Sequence, residues 1–77
     1  MELYEKLYTI IEDVTGYPKL EIIPELKLVE NLGLDPLKKL ELIFAIEIGF
    51  QIDIPAQKVY TIKKVADLIN EIRWEKI

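Results

Sequence analysis

The chain has 77 residues, 51% of them hydrophobic, and its 10 Lys+Arg against 14 Asp+Glu give a formal net charge of −4. It contains no histidine, no cysteine and no serine. Those absences exclude disulfide and thiolate chemistry, zinc sites built on Cys and His, and the serine or cysteine nucleophiles with their usual histidine base, so the composition points away from an enzyme.

Leu3, Leu7, Ile10, Ile11 and Val14 recur at helical spacing and predict a first helix with one apolar stripe. Gly16 and Pro18 should end it. Residues 17 to 35 then read as a long connection carrying Pro18, Pro24 and Gly33. Its apolar residues Leu20, Ile22, Ile23, Leu26, Leu28, Val29 and Leu32 are expected to hold it against the core, with a short helical turn near Leu26 to Glu30.

Asp35-Pro36 is a helix start: the carboxylate can accept from free first-turn N–H groups, and proline suits a position where no N–H is needed. The second helix should run to about Phe50, with Gly49 weakening its last turn. Residues 51 to 55 form an extended link, and Pro55 to Val59 a short third helix. Thr61 is the expected N-cap of a last helix whose stripe includes Ile62, Val65, Leu68, Ile69 and Ile72, with Trp74 pointing away from it. Only Ile52-Asp53-Ile54 alternates as a strand would, which is too short for a sheet. The expected fold is all-α, three main helices plus one short one, in a single domain over residues 1–77.

No run approaches the roughly 18 apolar residues of a membrane span, and the charged start Met1-Glu2-Leu3-Tyr4-Glu5 lacks a signal-peptide layout, so a cytoplasmic location is expected. The acidic balance argues against nucleic acid, whose phosphates need a basic face.

The second helix carries two apolar stripes. At about 100° per residue, Leu42, Ile46 and Phe50 form one, with Ile43 at its edge, and Leu37, Leu40, Phe44 and Ile48 form another on roughly the opposite side. Such a helix is either covered on both sides or keeps one face for a partner. A chain this short has little material to cover both.

The stretch Val29-Glu30-Asn31-Leu32-Gly33-Leu34-Asp35-Pro36-Leu37, followed by Leu40-Glu41-Leu42, Glu47, Phe50 and Ile52-Asp53-Ile54-Pro55, resembles the acyl carrier protein family. The likeness extends over nearly the whole chain and implies that family's helical bundle, although the segment between Pro55 and Thr61 is a few residues shorter than usual. Carriers of the family attach 4′-phosphopantetheine through the serine of an aspartate-serine-leucine motif. The matching position here is Pro36, so the resemblance implies a cofactor this chain cannot attach in that way. Family members also present an acidic second helix to basic patches on their enzymes. Here Lys38 and Lys39 balance Glu41 and Glu47; residues 1 to 35 carry −5 and residues 36 to 77 carry +1.

The expectation is a non-canonical carrier-like protein with no cofactor and no metal. It would act by binding a protein partner, such as an acyl-transfer, fatty-acid or polyketide-type biosynthetic enzyme. The docking surface would be Leu37, Leu40, Phe44 and Ile48, rimmed by Asp35, Glu41 and Glu47, on a monomer or weak dimer. The alternatives are a genuine carrier whose serine was replaced by design, a non-covalent fatty-acid binder, and a self-associating bundle.

Overall fold

The computed structural model describes residues 2–76. Helix α1 (Glu2–Thr15) buries Leu7 and Ile11 completely, with Leu3, Ile10 and Val14 partly covered beside them. It stops as its sequence predicts: Gly16 adopts φ +79, where a side chain would be strained, and its N–H reaches back to Glu12 O at 2.8 Å.

The connection differs from expectation. Its one helical element is a 3-10 turn at Lys19–Glu21, not a turn at residues 26 to 30. Lys19 anchors that turn to α1, with Nζ 2.6 Å from Glu5 Oε2 and 3.1 Å from Thr9 Oγ1, and its N–H donating to Glu12 Oε2. The Lys19 ammonium holds the Glu5 carboxyl below its ordinary range, and Glu5 in turn raises the lysine. Further on, residues 27 to 34 wind through isolated backbone bonds (Asn31 N to Lys27 O, Gly33 N to Val29 O, Leu34 N to Leu28 O), with the Asn31 side chain accepting from Lys27 N–H. These satisfy the backbone without building a helix. Of the residues expected to hold this segment, Ile22 and Leu28 are buried and Leu26 and Leu32 partly so. Leu20, Ile23 and Val29 are exposed, Leu20 almost entirely at 97%. Leu34, just before α2, is buried in their place.

Helix α2 (Pro36–Phe50) starts on Asp35, whose Oδ1 accepts from Lys38 N–H at 2.8 Å, with Pro36 as the first helical residue. Leu42, Ile43, Ile46 and Phe50 are all buried. Gly49 has a packing reason: a Cβ there would lie 2.7 Å from Ile10 Cδ1, so its absence lets α1 approach. The helix ends on Gln51 in the left-handed region (φ 57).

Helix α3 (Ala56–Val59) is one turn long, and α4 (Val65–Lys76) closes the bundle. Thr61 does not cap α4: its hydroxyl donates to Lys58 O. The N–H groups of Lys63 and Lys64 instead converge on Asp67 Oδ2, while Val65 and Ala66 donate to Leu26 O and Pro24 O in the long connection. The orphan donors of a helix start are thus met by a first-turn carboxylate and by distant backbone. Ile62, Val65, Leu68, Ile69 and Ile72 are buried, and Trp74 is exposed. The fold is all-α, and among the described residues the one strand-like feature is an isolated bridge between Lys27 and Lys64. None of the described helices is long and apolar enough to cross a membrane.

Candidate functional site

The second apolar stripe of α2 faces outward. Leu37 is 75% exposed, Phe44 56% and Ile48 79%. Leu40 departs from the other three: it is half-buried and turns into a neighbouring cavity. The polar residues named with the stripe divide. Glu41 is exposed and pairs with Lys38 at 3.4 Å, the ordinary surface arrangement. Asp35 serves as the N-cap. Glu47 is half-buried, and its Oε2 accepts from Ile54 N–H at 2.7 Å, fastening the α2–α3 link to the helix. Asp35 and Glu47 therefore have structural duties.

The cavity lies beside the start of α2. It has a volume of about 610 Å³ and is lined by Val29 and Leu34 from the connection, by Asp35, Pro36, Lys39 and Leu40, and by Ala56, Val59 and Tyr60 around α3. That volume falls within the range of small-molecule sites, roughly 300–1,000 Å³. Sequence reasoning missed it because three separate segments supply its wall. Lys39 is half-buried there; burial and the nearby Lys63 charge press its ammonium below the ordinary lysine range, and Asp67 opposes them.

The short α3 that forms one side is held by an ion pair: Lys58 Nζ lies 3.0 Å from Glu71 Oε2 on α4. The Glu71 side chain is only 13% exposed, and its Oε1 is buried without a partner among the described residues. Lys58→Met should leave that carboxylate unpaired. Its expected cost is about 1 kcal/mol, reduced from the buried-pair figure because Lys58 is partly solvated. Urea unfolding should show this, with faster amide exchange across residues 56 to 59.

Residues 5–72 match the model of the phosphopantetheine attachment site family. An acyl carrier protein of Rickettsia bellii is 39% identical over 72 residues, covering 94% of this chain and 89% of its own. One from Solidesulfovibrio magneticus is 38% identical over 76 residues (99% and 97%), and one from Helicobacter pylori 32% over 77 residues (100% and 99%). The chain belongs to the acyl carrier protein family. Acyl carrier proteins are carriers, not enzymes, and bear 4′-phosphopantetheine. The residues around the start of α2 do not fit covalent attachment of that group. Pro36 has no hydroxyl, and the one hydroxyl lining the cavity is the phenol of Tyr60. The three threonine hydroxyls each donate to a backbone carbonyl of their own segment, Thr9 to Glu5, Thr15 to Ile11 and Thr61 to Lys58. Among the described residues no group of three or more Asp or Glu could hold a metal ion.

Proposed function

We propose that this chain is an acyl carrier protein relative that works without the phosphopantetheine arm, as a single cytoplasmic domain that binds a protein partner through the outer face of α2. The observation that carries the reading is Pro36 at the motif's attachment position, in a chain with no serine anywhere. An arm-less carrier has only its surface to offer, and Leu37, Phe44 and Ile48 give α2 an apolar face. Partners are enzymes of acyl-transfer, fatty-acid or polyketide-type synthesis. The near-neutral charge of α2 favours one whose docking patch is less basic than the family's acidic helices require.

The test is Phe44→Glu. The side chain is more than half exposed, so stability should change by no more than about 0.5 kcal/mol. Wild type and variant are immobilised, and purified carrier-dependent enzymes are passed over each by surface plasmon resonance. Binding seen with wild type should fall at least about ten-fold, a typical hot-spot loss. Equal binding by the two proteins sinks the docking face. Light scattering over a concentration series separates this from self-association, which the same substitution would also weaken.

A further inference from the structure

Four of the ten basic residues gather where the long connection meets the start of α4 and the first turn of α2. Lys27 and Lys64 form the isolated antiparallel bridge, flanked by Leu28 N–H to Lys63 O and Val65 N–H to Leu26 O, both 2.9 Å. That pattern makes them a non-hydrogen-bonded pair, the class in which opposite side chains stand closest, with Cα atoms about 4.5 Å apart. Both are exposed, as is Lys63 beside them, and the Lys63 charge reaches Lys39 on α2. Like charges directly opposite on such a pair are destabilising. Among the described residues no carboxylate relieves them: Lys19, Lys38 and Lys58 each have one within ion-pair distance, at Glu5, Glu41 and Glu71, whereas Lys27, Lys39, Lys63 and Lys64 do not. Asp67 opposes the Lys63 charge at Lys39, but its Oδ2 is engaged by the main-chain N–H groups of Lys63 and Lys64. A chain of net charge −4 therefore carries an uncompensated basic patch.

The main chain narrows what can bind. A helix start holds a phosphate through free N–H groups, but those of Lys63, Lys64, Val65 and Ala66 are all taken, by Asp67 Oδ2, Leu26 O and Pro24 O. What remains is a set of ammoniums on flexible stems, spread from the bridge to the first turn of α2. Such a surface does not enclose a single phosphate. It suits several carboxylates spaced along a chain. Nucleic acid and an anionic membrane fit less well, because their negative charge continues beyond the patch toward the first half of the chain, where residues 1 to 35 already carry −5. A peptide can confine its acids to the patch. Val29, two residues beyond Lys27, is exposed and offers it an apolar contact.

We infer that Lys27, Lys63 and Lys64, with Lys39 at their border, bind an extended acidic segment of a partner protein. The polarity is the reverse of an acidic helix meeting a basic enzyme. The contact uses residues other than the outer stripe of α2, so the two surfaces fail independently: Phe44→Ala should leave the acidic segment bound as before.

The experiment is fluorescence anisotropy of a labelled peptide of alternating glutamate and serine, at low ionic strength. Wild type should bind it saturably, one peptide per chain, with an affinity that falls as salt is added. Lys27→Gln combined with Lys64→Gln should weaken binding by about five-fold or more, the size of two exposed ion pairs. Lys6 lies over the Phe50 ring and Arg73 against Tyr4, away from the patch. Lys6→Gln combined with Arg73→Gln removes the same charge there and should change binding by less than about two-fold, because distant charges are screened. The peptide should move the amide resonances of Lys27, Lys63 and Lys64. With no peptide present, Lys64→Glu should raise the urea midpoint, since it sets a carboxylate opposite Lys27. Absence of saturable binding, equal losses from the two double variants, resonance shifts confined to other residues, or a lower midpoint for Lys64→Glu would each overturn the proposal. So would displacement of the peptide by inorganic phosphate or by phosphatidylglycerol vesicles at matched ionic strength, which would assign the lysines to a phosphate or a lipid surface. Self-association of wild type that the Lys27 and Lys64 variant abolishes, seen by light scattering, would overturn it in favour of a second copy of the chain.

Discussion

Leu42→Ala is expected to remove about 2–5 kcal/mol of folding stability, while Leu37→Ala, five residues away on the same helix, should cost no more than about 0.5 kcal/mol. Leu42 is fully buried, and its truncation leaves a hole in a core whose neighbours Leu7, Ile11 and Ile46 are equally enclosed. The loss combines lost hydrocarbon transfer with an unfilled cavity. Domains hold only about 0.05–0.15 kcal/mol of stability per residue, so in a chain of 77 residues this substitution takes a large part of the total. Leu37 is mostly in water already, and alanine is the better helix former. The measurement is urea unfolding followed by helical circular dichroism. Trp74, the one tryptophan, is 72% exposed in the folded protein and reports little by fluorescence. The midpoint should drop sharply for Leu42→Ala and barely for Leu37→Ala, with unchanged slopes. Similar costs at the two positions would mean that α2 is covered on both faces, and the docking proposal would lose its surface.

What could be read from the sequence follows from how local each signal is. Gly16 and Asp35-Pro36 act on backbone groups within four residues, so the end of α1 and the start of α2 are legible directly. The two stripes of α2 are also legible, because a continuous helix converts spacing into direction. The start of α4 is not. Thr61 has the right chemistry for a cap, but Val65 and Ala66 find their acceptors on Leu26 and Pro24, some forty residues earlier in the chain. Only the folded connection reveals that. The connection itself has no period, so nothing in the order Leu20, Ile22, Ile23 distinguishes the buried Ile22 from its exposed neighbours. Glu47 reads as one more surface charge until the α2–α3 link folds back and places Ile54 N–H against it. The same holds for the cavity. Val29, Lys39 and Val59 belong to three segments, and the departure visible in sequence was the pair of lysines at 38 and 39 where the family resemblance implies acidic character.

Pro36→Ser should convert a chain that gains no mass with coenzyme A and a phosphopantetheinyl transferase into one that gains a single arm. Position 36 is exposed at the first turn of α2, and the surrounding frame does not depend on the proline ring: Asp35 Oδ1 caps through Lys38 N–H, Asp35 O accepts from Lys39 N–H, and Leu34 is buried beneath. A serine there keeps the helix start and places a hydroxyl beside a capping aspartate and an exposed leucine. The substitution should also cost stability. Proline restricts the unfolded chain, so its removal should lower folding free energy by about 0.4–1 kcal/mol, visible as a slightly lower urea midpoint. Intact-mass measurement after incubation decides the chemical part. A mass gain in wild type would end the arm-less reading outright, since some side chain other than a serine would have to bear the group. A serine variant that folds but stays unmodified would show that the change extends beyond one residue, into the surface the transferase reads. Lys38 and Lys39 would then be the residues to revert next. They lie within one turn of Pro36 and cancel the charge of Glu41 and Glu47. A triple variant with acids at both would separate a lost nucleophile from a lost docking charge.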